Sequence, residues 1–183
     1  MSEIEIGTVM TDGTVFAGLS PDTGKMLFVM PADAPVMDYL ATTDHMSTLN
    51  REKTHGHDDW RLPTLRELLV IFQNKEKGRL KGTFNEAGMG KPFQPVSGRV
   101  APGQYRASDW GGMGGTRAVV FKNGSPTYIM MMEPCSVRYV REGDMSDFPA
   151  PPPAPYAPSE ITSARQSRLK KLLQTPKREA QSP

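Results

Sequence analysis

His55-Gly56-His57-Asp58-Asp59-Trp60-Arg61-Leu62-Pro63-Thr64-Leu65-Arg66-Glu67-Leu68-Leu69 is the stretch from which the rest of the chain can be read. Thr64 and Glu67 stand at the spacing of a capping box, in which a hydroxyl and a carboxylate each satisfy a backbone donor left open by the first helical turn. Leu65, Leu68, Leu69 and Phe72 follow at helical spacing and give that helix one apolar face. Pro63 suits the bend into it.

Upstream, Gly7–Met10 and Val15–Leu19 read as short extended runs around the hairpin signal Thr11-Asp12-Gly13. Ser20-Pro21-Asp22-Thr23-Gly24 is a second turn. Met26–Met30 is continuously apolar and predicts a strand buried on both faces, so the start reads as a three-strand meander. Asp33 before Ala34-Pro35 predicts a helix N-terminus. Val36, Tyr39, Leu40, Met46 and Leu49 form its apolar side, and Gly56 is its stop. Downstream, Gly78–Gln104 is rich in Gly and Pro and reads as a long irregular loop. Tyr105–Ser108 is a short strand. Ala118–Phe121 and Tyr128–Met132 flank Asn123-Gly124, the strongest short hairpin signal. Val137 and Tyr139 alternate as a last half-buried strand should. Strands, two helices, a loop, then strands predict an α+β fold with a mainly antiparallel sheet.

The chain has 183 residues, enough for one domain of about 150 residues and a surplus. The surplus is at the C-terminal end. Residues 1–159 carry a net charge of −2 and residues 160–183 one of +4. Between them, six prolines fall within Phe148–Pro158, which excludes helix and interior strand and predicts an extended spacer. The expected organisation is a globular domain over 1–143, a Pro-rich linker over 144–158 and a basic tail over 159–183. A single cysteine, Cys135, excludes an intrachain disulfide and a cysteine-based zinc site. No apolar run is long enough for a spanning helix. The first residues lack the basic start and apolar core of a signal peptide, which makes cytoplasmic residence the default expectation.

Asp59-Trp60-Arg61-Leu62-Pro63-Thr64-x-x-Glu67-Leu68 resembles the D-W-R-L-P-T-x-x-E-L motif of the Lcl C-terminal domain family, a bacterial domain of unknown function. Tyr105-Arg106-Ala107-Ser108, Val120-Phe121-Lys122-Asn123-Gly124 and Val137-Arg138-Tyr139-Val140-Arg141 match its later segments in order, so the resemblance covers about Gly7–Arg141. Two positions depart from the pattern: Arg106 stands where the family has Trp, and Tyr139 where it has Cys. The resemblance implies a C-type-lectin-like fold, shared with sulfatase-modifying enzymes, in which a loop region displays the binding surface. It leans towards surface or extracellular assemblies. A fold of this kind hosts unrelated functions.

His55, His57 and Asp58 are metal-ligand types, but their spacing is not that of a helical ligand pair. They read either as a polar loop or as the centre of a metal-dependent enzyme. Cys135 after Pro134 reads as an inert core thiol. Gly111–Gly115 lacks the Lys-Ser or Lys-Thr of a phosphate loop. No convergent catalytic set can be named, and no cofactor or metal is implied. Trp60, Arg61, Thr64 and Glu67 read as structural: the indole packs the core and the guanidinium ties a carboxylate or loop carbonyls. Arg106, Asp109, Trp110 and Arg117, beside flexible glycines, are the ligand-binding candidates, since aromatic and arginine side chains are the usual anchors of interfaces and an aromatic beside Asp suits a glycan. Met130-Met131-Met132 reads as part of a strand, with Met131 facing away from its neighbours. In the tail, Ser159 can cap a segment whose Leu169, Leu172 and Leu173 share a face, with Lys170 and Lys171 largely elsewhere. Such a segment is a solvated tail or folds on a protein partner. A nucleic acid partner is not expected. The functional expectation is a non-catalytic recognition module of a bacterial or phage-related protein, with a loop surface for ligand or protein and a docking tail. A structural subunit or an exported effector held in a larger assembly is its nearest variant.

Overall fold

The computed structural model describes residues 4–86 and 101–144. Most of the Pro-rich segment, all of the basic tail and the greater part of the Gly/Pro-rich loop lie outside the described residues. The fold is α+β. Strand β1 (Val15–Leu19), β2 (Met26–Val29), β3 (Ala34–Met37), helix α1 (Tyr39–Arg51), helix α2 (Leu65–Asn74), β4 (Ala101–Gly112), β5 (Gly115–Val120), β6 (Ser125–Met130), β7 (Cys135–Val137) and β8 (Val140–Gly143) follow in that order. Short 3-10 turns at Thr54–Gly56 and Gly78–Leu80 flank α2. One sheet has the order β1-β2-β8 and the other β3-β7-β4-β5-β6. All pairings are antiparallel except that of β4 with β7.

Strand β2 is the central strand of its sheet, and Leu27, Phe28 and Val29 are fully buried, as the unbroken apolar run predicts. Helix α2 packs Leu68 and Ile71 onto Val15, Ala17, Leu27, Val29, Tyr105, Ala107, Val119, Phe121 and Val140, so a single core joins both sheets. A second cluster puts Trp60, Leu62, Val137 and Tyr139 against Met46 and Leu49 of α1. The Asn123-Gly124 hairpin forms as expected between β5 and β6. Gly124 has φ +74°, and a Cβ there would meet the Phe72 ring at 2.4 Å, so both the turn and the close approach of α2 require glycine. At the bulge in β1, Gly18 has φ +126° and faces the Asn74 amide, which donates to Ala17 O at 2.9 Å.

Five sequence expectations are corrected. The first helix does not begin at Asp33. Residues Ala34–Met37 are strand β3, paired with β7, and Asp38 caps α1 by accepting from the Ala41 N–H at 2.8 Å. Asp33 is taken by Arg138, whose Nε donates to it at 2.7 Å, and by the Tyr105 hydroxyl. A long-range ion pair thus decides between two local caps. Gly7–Met10 contributes only a single bridge, Val9 to Val15, so the opening meander has two full strands. Strand β4 runs far beyond Tyr105–Ser108, with bulges between Arg106 and Gly112. Finally, Met131 and Met132 lie in an exposed turn beyond the end of β6, and the closing segment is split: β7 joins the larger sheet and β8 the smaller one.

Candidate functional site

The capping box forms. Thr64 Oγ1 accepts from the Glu67 N–H at 3.1 Å, and the Glu67 carboxylate accepts from the Thr64 N–H at 2.9 Å. That carboxylate does more than cap. Its Oε1 also accepts from Ser20 Oγ and Arg61 Nη2, both at 2.7 Å, and its Oε2 from Arg61 Nη1 at 2.7 Å. Four donors therefore fill the roughly four acceptor positions of one fully buried carboxylate. Burial opposes its charge, but these hydrogen bonds and the guanidinium outweigh it and hold Glu67 below the usual carboxylate range. Arg61 in turn is pushed up, first by its bonds to Glu67 and further by Glu142, which accepts from Nη2 at 2.8 Å.

The loop around this ion pair reaches much of the described fold. Arg61 exchanges both backbone hydrogen bonds with Val140. Trp60 exchanges two with the Asn50 side chain, and its indole N–H donates to Thr54 O at 2.8 Å. Pro63 O accepts from the Ser108 N–H, and the Thr64 hydroxyl donates to Asp22. Trp60, Arg61, Thr64 and Glu67 are thus all committed to internal bonds that tie α1, α2, β4, β8 and the β1–β2 turn together.

Beside this hub lies a cleft of about 530 Å³. One wall is α1, through Tyr39, Thr43 and Met46. The others are Arg61, Leu62, Thr64 and Glu67 of the motif, Asp22 and Thr23 of the β1–β2 turn, Ser108 of β4 and Glu142 of β8. Its size falls within the range of small-molecule and side-chain pockets.

The four ligand-binding candidates part company. Arg106 is completely buried: it donates to Thr116 Oγ1, Met130 O and Glu133 O, and its guanidinium lies 5.8 Å from the centre of the Tyr39 ring. It therefore cannot meet a ligand on the surface. Asp109 accepts from the Leu65 N–H at 2.5 Å, a second cap on α2. Trp110 is 61% exposed, and Arg117 is exposed on β5. The three candidate metal ligands do not converge either. His55 Nδ1 bonds Asp12 O, and His57 Nε2 bonds Asp12 Oδ2, both at 2.8 Å, whereas Asp58 pairs with Lys53. Among the described residues no three His, Cys, Asp or Glu side chains come together as a metal site. Asp12 is held low in pKa: burial works against its charge, but bonds from the Thr14 backbone, the Thr14 hydroxyl and His57 outweigh it. Tyr139 donates its hydroxyl to Thr42 O at 2.9 Å and lies 3.1 Å from His45 Nδ1.

Cys135 is buried, and burial pushes its thiol up to about 11. A thiol-specific disulfide reagent at pH 8 should therefore label the native chain about a hundredfold more slowly than the chain in denaturant. Absorbance of the released thiolate reads both rates.

Sequence reasoning sets Tyr39 and Leu40 on the apolar side of the first helix, where Leu40 is instead exposed, and gives no role to Ser108 and Glu142 of the cleft or to the exposed Met113. Met113 sits at the tip of the β4–β5 hairpin with φ +45° and is 85% exposed. A glycine-rich tip holding one large apolar residue was the available signal. The cleft residues carry none, since their elements are distant in sequence. No helix among the described residues is long and apolar enough to cross a membrane. Comparison with models of known families and with curated proteins gives no match for this chain.

Proposed function

We propose that the chain is a non-catalytic recognition module that binds a protein partner through the end of the fold where α1 begins. The observation that carries this reading is a concentration of exposed apolar side chains. Among the described residues eight large apolar side chains are exposed, and five of them, Leu40, Trp110, Met113, Met131 and Met132, belong to segments bonded to one another. The Tyr39 N–H donates to Met131 O at 2.8 Å, the Met131 N–H to Gly114 O at 3.0 Å, and Gly112 pairs with Gly115 across the hairpin. Gathered exposed apolar residues mark interaction sites, and a Trp with adaptable thioethers is a suitable anchor chemistry. The commitment of the motif to internal bonds supports a scaffold role for it rather than a catalytic one.

Kinship with the Lcl C-terminal domain family and a C-type-lectin-like architecture belong to the same proposal. The support is the order of the quoted motifs and the pairing of an early strand, β2, with the last described strand, β8. The basic segment 159–183 is read from sequence alone as a second docking element.

The test is affinity capture from native extract with the full chain and with a Trp110→Ala/Met113→Ser variant. A defined protein held by the parent chain and lost by at least tenfold in the variant is the expected result. The variant's unfolding free energy should stay within about 1 kcal/mol of the parent, since both side chains are exposed. Equal capture by both chains overturns the assignment of this end.

A further inference from the structure

Resting on that recognition reading, we infer that the cleft beside the exposed end is a pocket for a lysine side chain of the partner. Three carboxylates line it, Asp22, Glu67 and Glu142, against one guanidinium, Arg61. Their capacities differ. Glu67 is filled by its four donors. Asp22 accepts from the Thr64 hydroxyl through one oxygen and from Arg66 through the other. Glu142 binds Arg61 through Oε1 only, and among the described residues no donor reaches its Oε2. Its side chain is 20% exposed, so the remaining acceptor is sheltered yet reachable. The hydroxyls of Tyr39 and Ser108, which also line the cleft, have no hydrogen-bond partner among the described residues.

Arg61 does not favour an anion here. Its two terminal nitrogens are spent on Glu67, Glu142 and Leu62 O. An incoming carboxylate would have to displace Glu142 and would face Asp22 as well. A primary ammonium fits better. It brings three donors, and an ammonium–carboxylate hydrogen bond is about twice as strong as a neutral one. The alkyl stem of lysine matches the apolar part of the lining, Leu62, Met46 and the Tyr39 ring, along which such a stem can lie with its charged head at the polar end. The position also fits. Tyr39 lines the cleft and Leu40 follows it in the exposed end; Ser108 lines the cleft and Trp110 stands two residues on. One partner segment can thus place a lysine in the cleft and an apolar residue on the rim.

The experiment is a heteronuclear NMR titration of the full chain with Nα-acetyl-lysine methylamide and with its norleucine and glutamate counterparts. The expected result is saturable shifts at Thr23, Thr43, Ser108 and Glu142 with the lysine probe alone. Affinity should fall at least fivefold in Glu142→Gln. Ser108→Leu, a substitution at an exposed position that narrows the cleft, should abolish the shifts and provides a second variant if Glu142→Gln does not fold. Absence of saturable shifts with the lysine probe overturns the inference. So does equal binding of the norleucine probe, or an unchanged affinity in a folded Glu142→Gln. If the lysine probe is silent while Trp110→Ala/Met113→Ser still loses its captured partner, the recognition reading stands and the lysine pocket alone falls.

Discussion

Glu67→Gln is expected to cost about 3–5 kcal/mol of folding free energy, the range for removing one partner of a buried ion pair. The lower end applies, because Arg61 is partly open to solvent and can recover some hydration. The replacement keeps the size of the side chain and changes only its donors and acceptors. An amide nitrogen would then face Arg61 together with Ser20 or the Thr64 backbone, and of these only the Ser20 hydroxyl can turn to accept from it. Against a total of about 5–15 kcal/mol for an ordinary domain, this loss is large. It also carries a pH signature. Glu67 is held below its ordinary pKa in the folded chain, so its contribution is complete above the unfolded value and is lost as pH falls through the depressed folded value. Urea unfolding followed from pH 7 down to pH 3 should show stability falling in acid for the parent and a shallower fall for Glu67→Gln. Asp12, likewise held low, keeps the variant's profile from becoming flat. An unchanged slope would remove Glu67 from this role.

Arg138→Met is expected to be of similar size, about 3–5 kcal/mol by the same principle of an orphaned charge. Arg138 is 1% exposed, donates to Asp33, Met30 O and the Thr83 backbone carbonyl, and lies 4.2 Å from the centre of the Phe84 ring. Methionine can replace its stem but none of its donors, which leaves Asp33 with the Tyr105 hydroxyl and the Asn85 N–H alone. The control is Arg117→Met, at the one exposed residue of β5, where a change of no more than about 0.5 kcal/mol is expected. Chemical denaturation of the two variants side by side reads the difference. Equal effects would show that burial does not separate these two arginines.

These two arginines also show where sequence reading works and where it stops. The Thr64–Glu67 box and the Asn123-Gly124 hairpin are local devices, so each is legible from a few adjacent residues. The start of the first helix is not. Asp33 and Asp38 both satisfy the local rule for a cap, and the choice is made by Arg138, 105 residues further on. Arg106 reads as a ligand residue because arginine and aromatic side chains are the usual anchors of interfaces. Its burial depends on acceptors in β5, at the end of β6 and in the turn that follows, for which the neighbouring residues give no sign. Trp110 could be found because its glycine-rich setting marks a hairpin tip. Glu142 could not, since a glutamate near the end of a strand looks like any solvated charge until α1 and the motif loop are set around it.

The split closing segment has a consequence for how the chain reaches this state. Strand β8 pairs Met26 with Gly143, and β7 lies between β3 and β4, so both sheets are completed by the last described strands. A chain emerging in order of synthesis therefore presents β2, paired only with β1, and β3 long before β8 and β7 exist. Helix α2, with its local cap, can form early, but the core it covers cannot close until residues 135–143 arrive. Non-local pairing of this kind puts folding in the slow range, about milliseconds to seconds. During that interval the apolar run of β2 is an open edge, and the time for which it stays open sets the exposure of the nascent chain to aggregation.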